Sequence, residues 1–153
     1  MGNDWRVIMR ACTFFGHRDG FGLDRETLRR TIEELIHQGV DTFYVGNQGQ
    51  FDGAVYSCLK QLRTDYPQIR VSVVLAYLPT EKREAEDLSD AIYPEIEGPP
   101  RFAIDRRNRW MLQQTEVAIC YVCHITGGAY KFAKPAKRQG KKVINLGDAE
   151  IER

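Results

Sequence analysis

Segments typical of strands alternate with segments typical of helices along the whole of this 153-residue chain. Such alternation favours an open parallel sheet, because right-handed crossovers place the helices on both of its faces. The sequence therefore predicts a single domain over residues 1–153, with a Rossmann-like, doubly wound α/β fold and a mainly parallel five-stranded sheet. The five apolar runs that predict its strands are 11–15, 42–45, 69–78, 117–122 and 143–146.

Local signals mark where the predicted helices begin and end. Asp24 offers a cap for the first helix, and Gly39 ends it. Helical spacing returns at 54–62, at 102–114 and at 128–139. Pro135 stands inside the last of these segments, where a proline costs on the order of 3 kcal/mol.

The segment 79–100 departs from this alternation. It is rich in Glu, Lys, Arg, Asp and Pro, with few apolar residues, which is typical of an exposed excursion. A solvated connector is the simplest interpretation. A lid over the site and a docking segment for a partner protein are the alternatives that the sequence leaves open.

Charge and hydropathy exclude several classes of protein. Lys and Arg total 22 against 21 for Asp and Glu, so the chain lacks the positive excess that attracts a polyanion, which argues against nucleic acid as a partner. No apolar run approaches the roughly 20 residues of a membrane-spanning helix, and the first residues show no secretion signal. We therefore expect a cytoplasmic protein with no membrane partner. A homo-oligomer remains open.

The four cysteines, at 12, 58, 120 and 123, lie in or beside apolar runs, which predicts buried thiols. Cys120 and Cys123 match the C-x-x-C spacing, but residues three apart in a strand point to opposite faces. There is no second pair to complete four ligands. The sequence therefore predicts neither a metal site nor a cofactor.

Glycine-bearing turns follow three of the predicted strands. The carboxyl ends of parallel strands meet along one edge of a sheet, where backbone N–H groups and helix N-termini favour an anion. In the arginine-rich run 105–109, Arg107 lies four residues before Met111 on one helix face and could line a pocket. The candidate ligand-binding residues are Gly16, His17, Arg18, Gly46, Asn47, Gln48, Gly49, Asp52, Arg107, Asn108, Thr126, Gly127 and Gly128.

These residue types suit a phosphorylated ligand. We expect the glycine pair 127–128 and Arg18 to hold a phosphate, to which His17 could also donate. The amides 47–48 and Asp52 are expected to hold a sugar or a base. Plain structural interpretations stay open beside these: glycines are common in strand-to-helix turns, Asp52 suits a helix start, and a run of arginines is usually a solvated face.

In order and spacing, these turns resemble the YpsA-like branch of the SLOG superfamily, which also holds the DprA-type and Lonely Guy proteins. The resemblance spans roughly residues 10–146 and is carried by residues 13–18, 46–52 and 126–128 together with Arg107, Asn108 and Met111. It implies a Rossmann-like fold. It also implies binding or sensing of a nucleotide-derived ligand, such as AMP, ADP-ribose or an NAD-related molecule, at the strand tips.

The Lonely Guy relatives are phosphoribohydrolases, which release a base from a nucleoside monophosphate. Where their glycine-rich motif has a glutamate, this chain has Lys134, which argues against the same chemistry at that position and leaves it undecided whether the protein is an enzyme. The resemblance leaves N-glycosidic hydrolysis or transfer as the alternative function, with Arg107 and Asp52 as the candidate catalytic residues. Cleavage of a ribosyl bond needs a negative group beside the developing oxocarbenium ion, and Asp52 is the candidate for that role.

Overall fold

The computed structural model describes residues 9–17, 22–78, 89–125 and 128–151. None of the helices in these ranges is long and apolar enough to cross a membrane. The strands are β1 (Ala11–Gly16), β2 (Thr42–Val45), β3 (Arg70–Val74), β4 (Ala91–Ile92), β5 (Val117–Tyr121) and β6 (Lys142–Asn145). The helices are α1 (Arg25–His37), α2 (Gly49–Asp65), α3 (Ala103–Gln113) and α4 (Gly128–Arg138), and a short 3₁₀ helix (Pro100–Phe102) precedes α3.

The strand β1 lies at the centre of a six-stranded sheet in the order β4-β3-β2-β1-β5-β6. All the pairings in this sheet are parallel. The chain builds one half of the sheet through β2, β3 and β4 and the other half through β5 and β6, so the strand order reverses at β1. This confirms the predicted Rossmann-like, mainly parallel sheet with helices, but corrects the predicted number of strands from five to six.

The additional strand, β4, comes from the segment 79–100, for which the sequence predicts an exposed connector. Residues 79–88 lie outside the described ranges, but Ala91–Ile92 pairs with Val73 and Val74 of β3. A two-residue strand contains no alternation of apolar and polar residues, which is why the sequence pattern misses it. The strand β3 also ends at Val74, before the end of the apolar run that predicts it.

Each face of the sheet is covered by two helices. Buried residues of α1 and α2 form one core with one face, and those of α3 and α4 form a second core with the other. Neighbouring residues of β1 enter different cores, because successive side chains of a strand point to opposite faces: Phe14 belongs to the first and Phe15 to the second. The central strand is therefore buried on both sides.

Local signals fix both ends of α1 as the sequence predicts. The Oδ1 atom of Asp24 accepts hydrogen bonds from the N–H groups of Glu26 at 3.1 Å and Thr27 at 3.4 Å, which satisfies two amides of the first helical turn. Gly39 follows the helix with φ +107°, a conformation that favours glycine.

Pro135 lies inside α4 without ending it. The helix runs over Gly128–Arg138, and the N–H group of Gln139 still donates to the Pro135 carbonyl at 3.0 Å. Because proline has no N–H group, the bond that residue 135 would donate to the carbonyl of residue 131 is missing. The buried side of α4, which includes Phe132 and Ala136, stabilises the helix by packing.

A polar cluster fastens the start of β4 to α2. Arg63 donates through Nη1 and Nη2 to the two carboxylate oxygens of Asp90, each at 3.0 Å, and the Tyr56 hydroxyl donates to the same carboxylate at 2.7 Å. The hydrogen bonds from Arg63 lower the pKa of Asp90, whereas burial and the neighbouring Asp90 raise the pKa of Tyr56 to about 12. The Asp90 carbonyl accepts from the Val73 N–H group at 3.0 Å, so the cluster also holds the sheet edge.

We expect Asp90→Asn to lower the free energy of unfolding at pH 7 by no more than about 1 kcal/mol, because the ion pair is partly exposed. The pKa of Asp90 is lowered in the folded protein, so its carboxylate stabilises the fold above the pKa of an unfolded aspartate, about 3.9. This contribution disappears as the pH falls through the lower folded value. Urea unfolding at about pH 7 and about pH 3 should therefore show the difference between wild type and variant shrinking at low pH.

Asp65→Asn is the control, because it removes an exposed carboxylate that pairs with Arg29. It should leave the stability nearly unchanged at both pH values. A difference between wild type and Asp90→Asn that stays constant from about pH 7 to about pH 3 would contradict the assignment.

Candidate functional site

A cavity of about 320 Å³ opens at the carboxyl end of β1, where the strand order reverses. Open α/β sheets bind ligands at this position, because the helices on the two sides of the reversal diverge and leave a crevice. Four elements of the structure contribute its walls. The lining residues are Phe14, Phe15, Gly16 and His17 from the end of β1, Gln48 and Asp52 from the start of α2, Ile104, Arg107, Asn108 and Met111 from α3, and Ala129 from α4.

Asp52 presents a half-buried carboxylate to this cavity from the first turn of α2. Its Oδ2 atom accepts a hydrogen bond from the N–H group of Gln48 at 2.9 Å, so it closes the start of the helix as the sequence interpretation allows. Burial raises the pKa of Asp52, and the bond from Gln48 and the charge of Arg107 offset part of that rise. The Oδ1 atom has no hydrogen-bond partner among the described residues.

Arg107 is buried, with 4% of its surface exposed, although it belongs to a run of charged residues. Its Nη1 atom donates to the Val74 carbonyl at 2.9 Å, and its Nε atom donates to Oδ1 of Asn108 at 2.8 Å. Burial lowers the pKa of Arg107, while the negative charge of Asp52 acts in the opposite direction. The Nη2 atom has no hydrogen-bond partner within the described part of the chain, so a charged donor remains for a ligand.

Gly46 is required by the close approach of these two side chains. A Cβ atom at this position would lie 2.6 Å from Nη1 of Arg107 and 2.8 Å from Oδ2 of Asp52. Gly16 has a comparable role, since a Cβ there would overlap the ring of Phe51. The sequence predicts that both glycines bind the ligand. In the structure Gly16 does line the cavity, whereas Gly46 supports two residues that line it.

His17 joins the end of β1 to the end of β5. Its Nε2 atom accepts a hydrogen bond from the N–H group of Cys123 at 2.8 Å, and its ring stacks on His124 with centroids 4.2 Å apart. The amide of Cys123, like that of Gln48, is therefore already bonded to a side chain. Open turn amides do not form an anion site at these two positions, and side chains supply the polar groups there.

The other predicted site residues lie at the margin of the cavity or outside the described ranges. Asn47 is exposed, and its Oδ1 atom accepts from Nε2 of Gln48 at 3.2 Å. Gly49 begins α2 with φ +86°, and Gly128 begins α4 directly before Ala129 of the cavity wall. Arg18, Thr126 and Gly127 lie outside the described residues, so the binding role predicted for them stays a prediction.

The candidate binding residues predicted from the sequence leave out most of the apolar wall, namely Phe14, Phe15, Ile104 and Ala129. A signal for Ile104 exists, because residues 104, 107, 108 and 111 follow the i, i+3, i+4, i+7 spacing of a single helix face. The sequence analysis already names Arg107, Asn108 and Met111, and the same spacing predicts Ile104 as the fourth residue of this helix face. Nothing comparable marks Ala129.

Lys134, which stands where the Lonely Guy motif has a glutamate, does not line this cavity. It is half-buried on α4, with its Nζ atom 6.0 Å from the ring centroid of Tyr130, and it is not one of the described lining residues. No group of three or more His, Cys, Asp or Glu side chains that could hold a metal ion occurs in the described ranges. Among the described residues that line the cavity, Asp52 is the one with a carboxylate.

The fold and the cavity together define a Rossmann-like α/β protein with a cleft at the reversal point of its sheet. The chain is similar to the solved structure of DNA processing protein A (DprA) from Streptococcus pneumoniae, with a TM-score of 0.63 and 14% sequence identity. The match covers 90% of this chain and 50% of that one, so this chain spans about half the length of DprA. At such identity the likeness shows the fold alone. No protein-family model matches the sequence, and no curated protein matches it either.

We expect Gly46→Ala to destabilise the protein by about 1–3 kcal/mol, because the new methyl group must displace Arg107 or Asp52. Arg107 cannot yield freely, since its Nη1 atom holds the Val74 carbonyl. Thermal and urea unfolding followed by circular dichroism measure the loss.

Gly53→Ala is the matched control, because Gly53 lies in α2 with open space where its Cβ would be. Removing a glycine from a helix interior should stabilise the fold by about 0.5–1 kcal/mol. If both variants were as stable as the wild type, the tight packing around Gly46 would be disproved.

Proposed function

We propose that this protein binds or senses a nucleotide or nucleotide-derived ligand, such as AMP, ADP-ribose or an NAD-related molecule, in the cavity at the end of β1. One observation carries the proposal: at the reversal point of the sheet, an apolar wall faces a carboxylate oxygen and a guanidinium nitrogen that no described residue bonds. A volume of about 320 Å³ also falls at the lower end of the range of small-molecule pockets.

The apolar wall suits a flat heterocyclic base. Phe14, Phe15, Ile104 and Met111 line the cavity from β1 and α3, and Ile104 is the most exposed of the four. The polar groups lie on other parts of the wall, where they can fix the orientation of a sugar. Few polar groups on a largely apolar lining are typical of a small-molecule site.

The phosphate of such a ligand would lie at the start of α4. Ala129 of the first turn of this helix lines the cavity, and a helix N-terminus favours an anion. The glycine pair 127–128 and Arg18 are part of this proposal as additional phosphate ligands. A cytoplasmic location and membership of the YpsA-like branch of the SLOG superfamily belong to the same proposal, for which the likeness to DprA supports the fold.

Ile104→Trp should reduce the affinity for the best nucleotide ligand at least about tenfold, because the larger ring occupies the space between α3 and β1. Isothermal titration of the purified protein with AMP, ADP-ribose, NAD and cyclic ADP-ribose identifies that ligand first. Gln113→Trp places the same residue at an exposed position of the same helix and should bind like wild type. Binding of none of these ligands by wild type would refute the proposed function.

The second candidate is cleavage of the N-glycosidic bond of a nucleoside monophosphate, and the position of Asp52 favours it. In this reaction water adds to C1′ as the base leaves with a proton, and a carboxylate stabilises the positive charge that develops on the sugar. Asp52 is the carboxylate in the described wall, and one of its oxygens is unbonded within the described part of the chain.

We expect Asp52→Asn to lower the rate of base release at least about a hundredfold if the protein is this enzyme, because the variant removes the negative charge. Incubation with nucleoside monophosphates, followed by chromatography of the free base, measures the rate. The exposed Asp65→Asn variant is the control. No base from wild type, or equal release by wild type and Asp52→Asn, would exclude this candidate.

A further inference from the structure

Asp52 and Arg107 carry opposite charges at the same cavity without forming an ion pair with each other. The ion pairs of the described residues do not include these two side chains. Arg107 instead directs Nη1 to the Val74 carbonyl and Nε to Asn108. The Oδ1 atom of Asp52 therefore stays unbonded within the described residues and available to a ligand.

The charged groups of the lining separate into an accepting side and a donating side. At the start of α2, Oδ1 of Asp52 is a charged acceptor, and the Gln48 side chain beside it offers its oxygen as well as the second N–H of Nε2, whose first N–H goes to Asn47. On α3, Nη2 of Arg107 is a charged donor, and Asn108 adds its side-chain nitrogen, since its Oδ1 atom already accepts from Arg107. A ligand must meet Asp52 with hydrogen-bond donors.

If the ligand is the nucleotide of the proposed function, on which this inference rests, its vicinal ribose hydroxyls are two such donors. The base suits the apolar wall, which leaves the sugar for the polar start of α2. We propose that Asp52 is the specificity-determining residue of the cavity: it accepts a hydrogen bond from a free 2′- or 3′-hydroxyl and excludes ligands with a phosphate at those positions. A phosphate there would present a second anion without a donor to an ionised carboxylate.

The raised pKa of Asp52 predicts how this selectivity changes with pH. Burial raises the pKa of Asp52, so the carboxylate loses its charge at a higher pH than an ordinary aspartate does. Other titratable or charged groups that line the cavity are Arg107 on α3 and His17 at the end of β1. The discrimination is present above the pKa of Asp52 and weakens as the pH falls through it.

The isomers 5′-AMP and 3′-AMP test this inference, because they have the same composition and charge and differ in which hydroxyl carries the phosphate. Isothermal titration of wild type at about pH 7.5 should show 5′-AMP binding at least about tenfold more tightly. In Asp52→Asn the two affinities should come within about threefold, since the charge is gone while an amide oxygen can still accept from Gln48. Asp65→Asn, an exposed carboxylate variant, should keep the wild-type ratio.

The comparison in wild type decides the inference even if Asp52→Asn is unstable. Equal binding of the two isomers by wild type would overturn the role of Asp52 and leave nucleotide binding intact. A preference that persists unchanged in folded Asp52→Asn would assign the discrimination to another residue and overturn the inference as well. If neither isomer binds, and ADP-ribose, NAD and cyclic ADP-ribose do not bind either, the proposed function itself is refuted.

Discussion

The pairing of β1 with β2 on one side and with β5 on the other is the constraint on which the cavity depends. Because the chain leaves β1 toward one half of the sheet and later returns to add β5 on its free edge, the helices that follow these strands lie on opposite faces. Their first turns therefore diverge above the end of β1 and leave room for a ligand. The same strand provides Phe14 to one core and Phe15 to the other, so the floor of the cavity is held from both sides.

The burial of Arg107 connects this scaffold to the site. A guanidinium removed from water is costly unless its N–H groups find acceptors, and here they find the Val74 carbonyl and the amide oxygen of Asn108. Val74 is the last residue of β3, so Arg107 ties α3 to that half of the sheet. The absence of a side chain at Gly46 lets Arg107 and Asp52 approach the same point. One residue thus stabilises the tertiary structure and contributes to the cavity a nitrogen that no described residue bonds.

Much of the fold can be predicted from the sequence, whereas the site can be predicted only in part. Asp24 as a helix cap and the helical spacing of Arg107 and Met111 depend on neighbours within a few residues, and these predictions agree with the structure. The strand β4 is too short to carry a pattern. The hydrogen bond between His17 and the Cys123 amide joins residues 106 positions apart, so no local sequence pattern predicts it. The prediction that turn glycines leave amides open therefore misses the side chains that bond the amides of Gln48 and Cys123.

By itself, the sequence determined the alternation of strands and helices, the parallel sheet and the ends of the first helix, because propensity, capping and periodicity act between residues close together along the chain. Tertiary structure alone decided which atoms of Arg107 are bonded, which oxygen of Asp52 lacks a partner among the described residues and which residues of β1 and α4 join the cavity wall. Those outcomes depend on contacts between α2, α3 and the ends of β1 and β3. Such contacts exist only after distant parts of the chain have packed against each other, so no short stretch of sequence contains them.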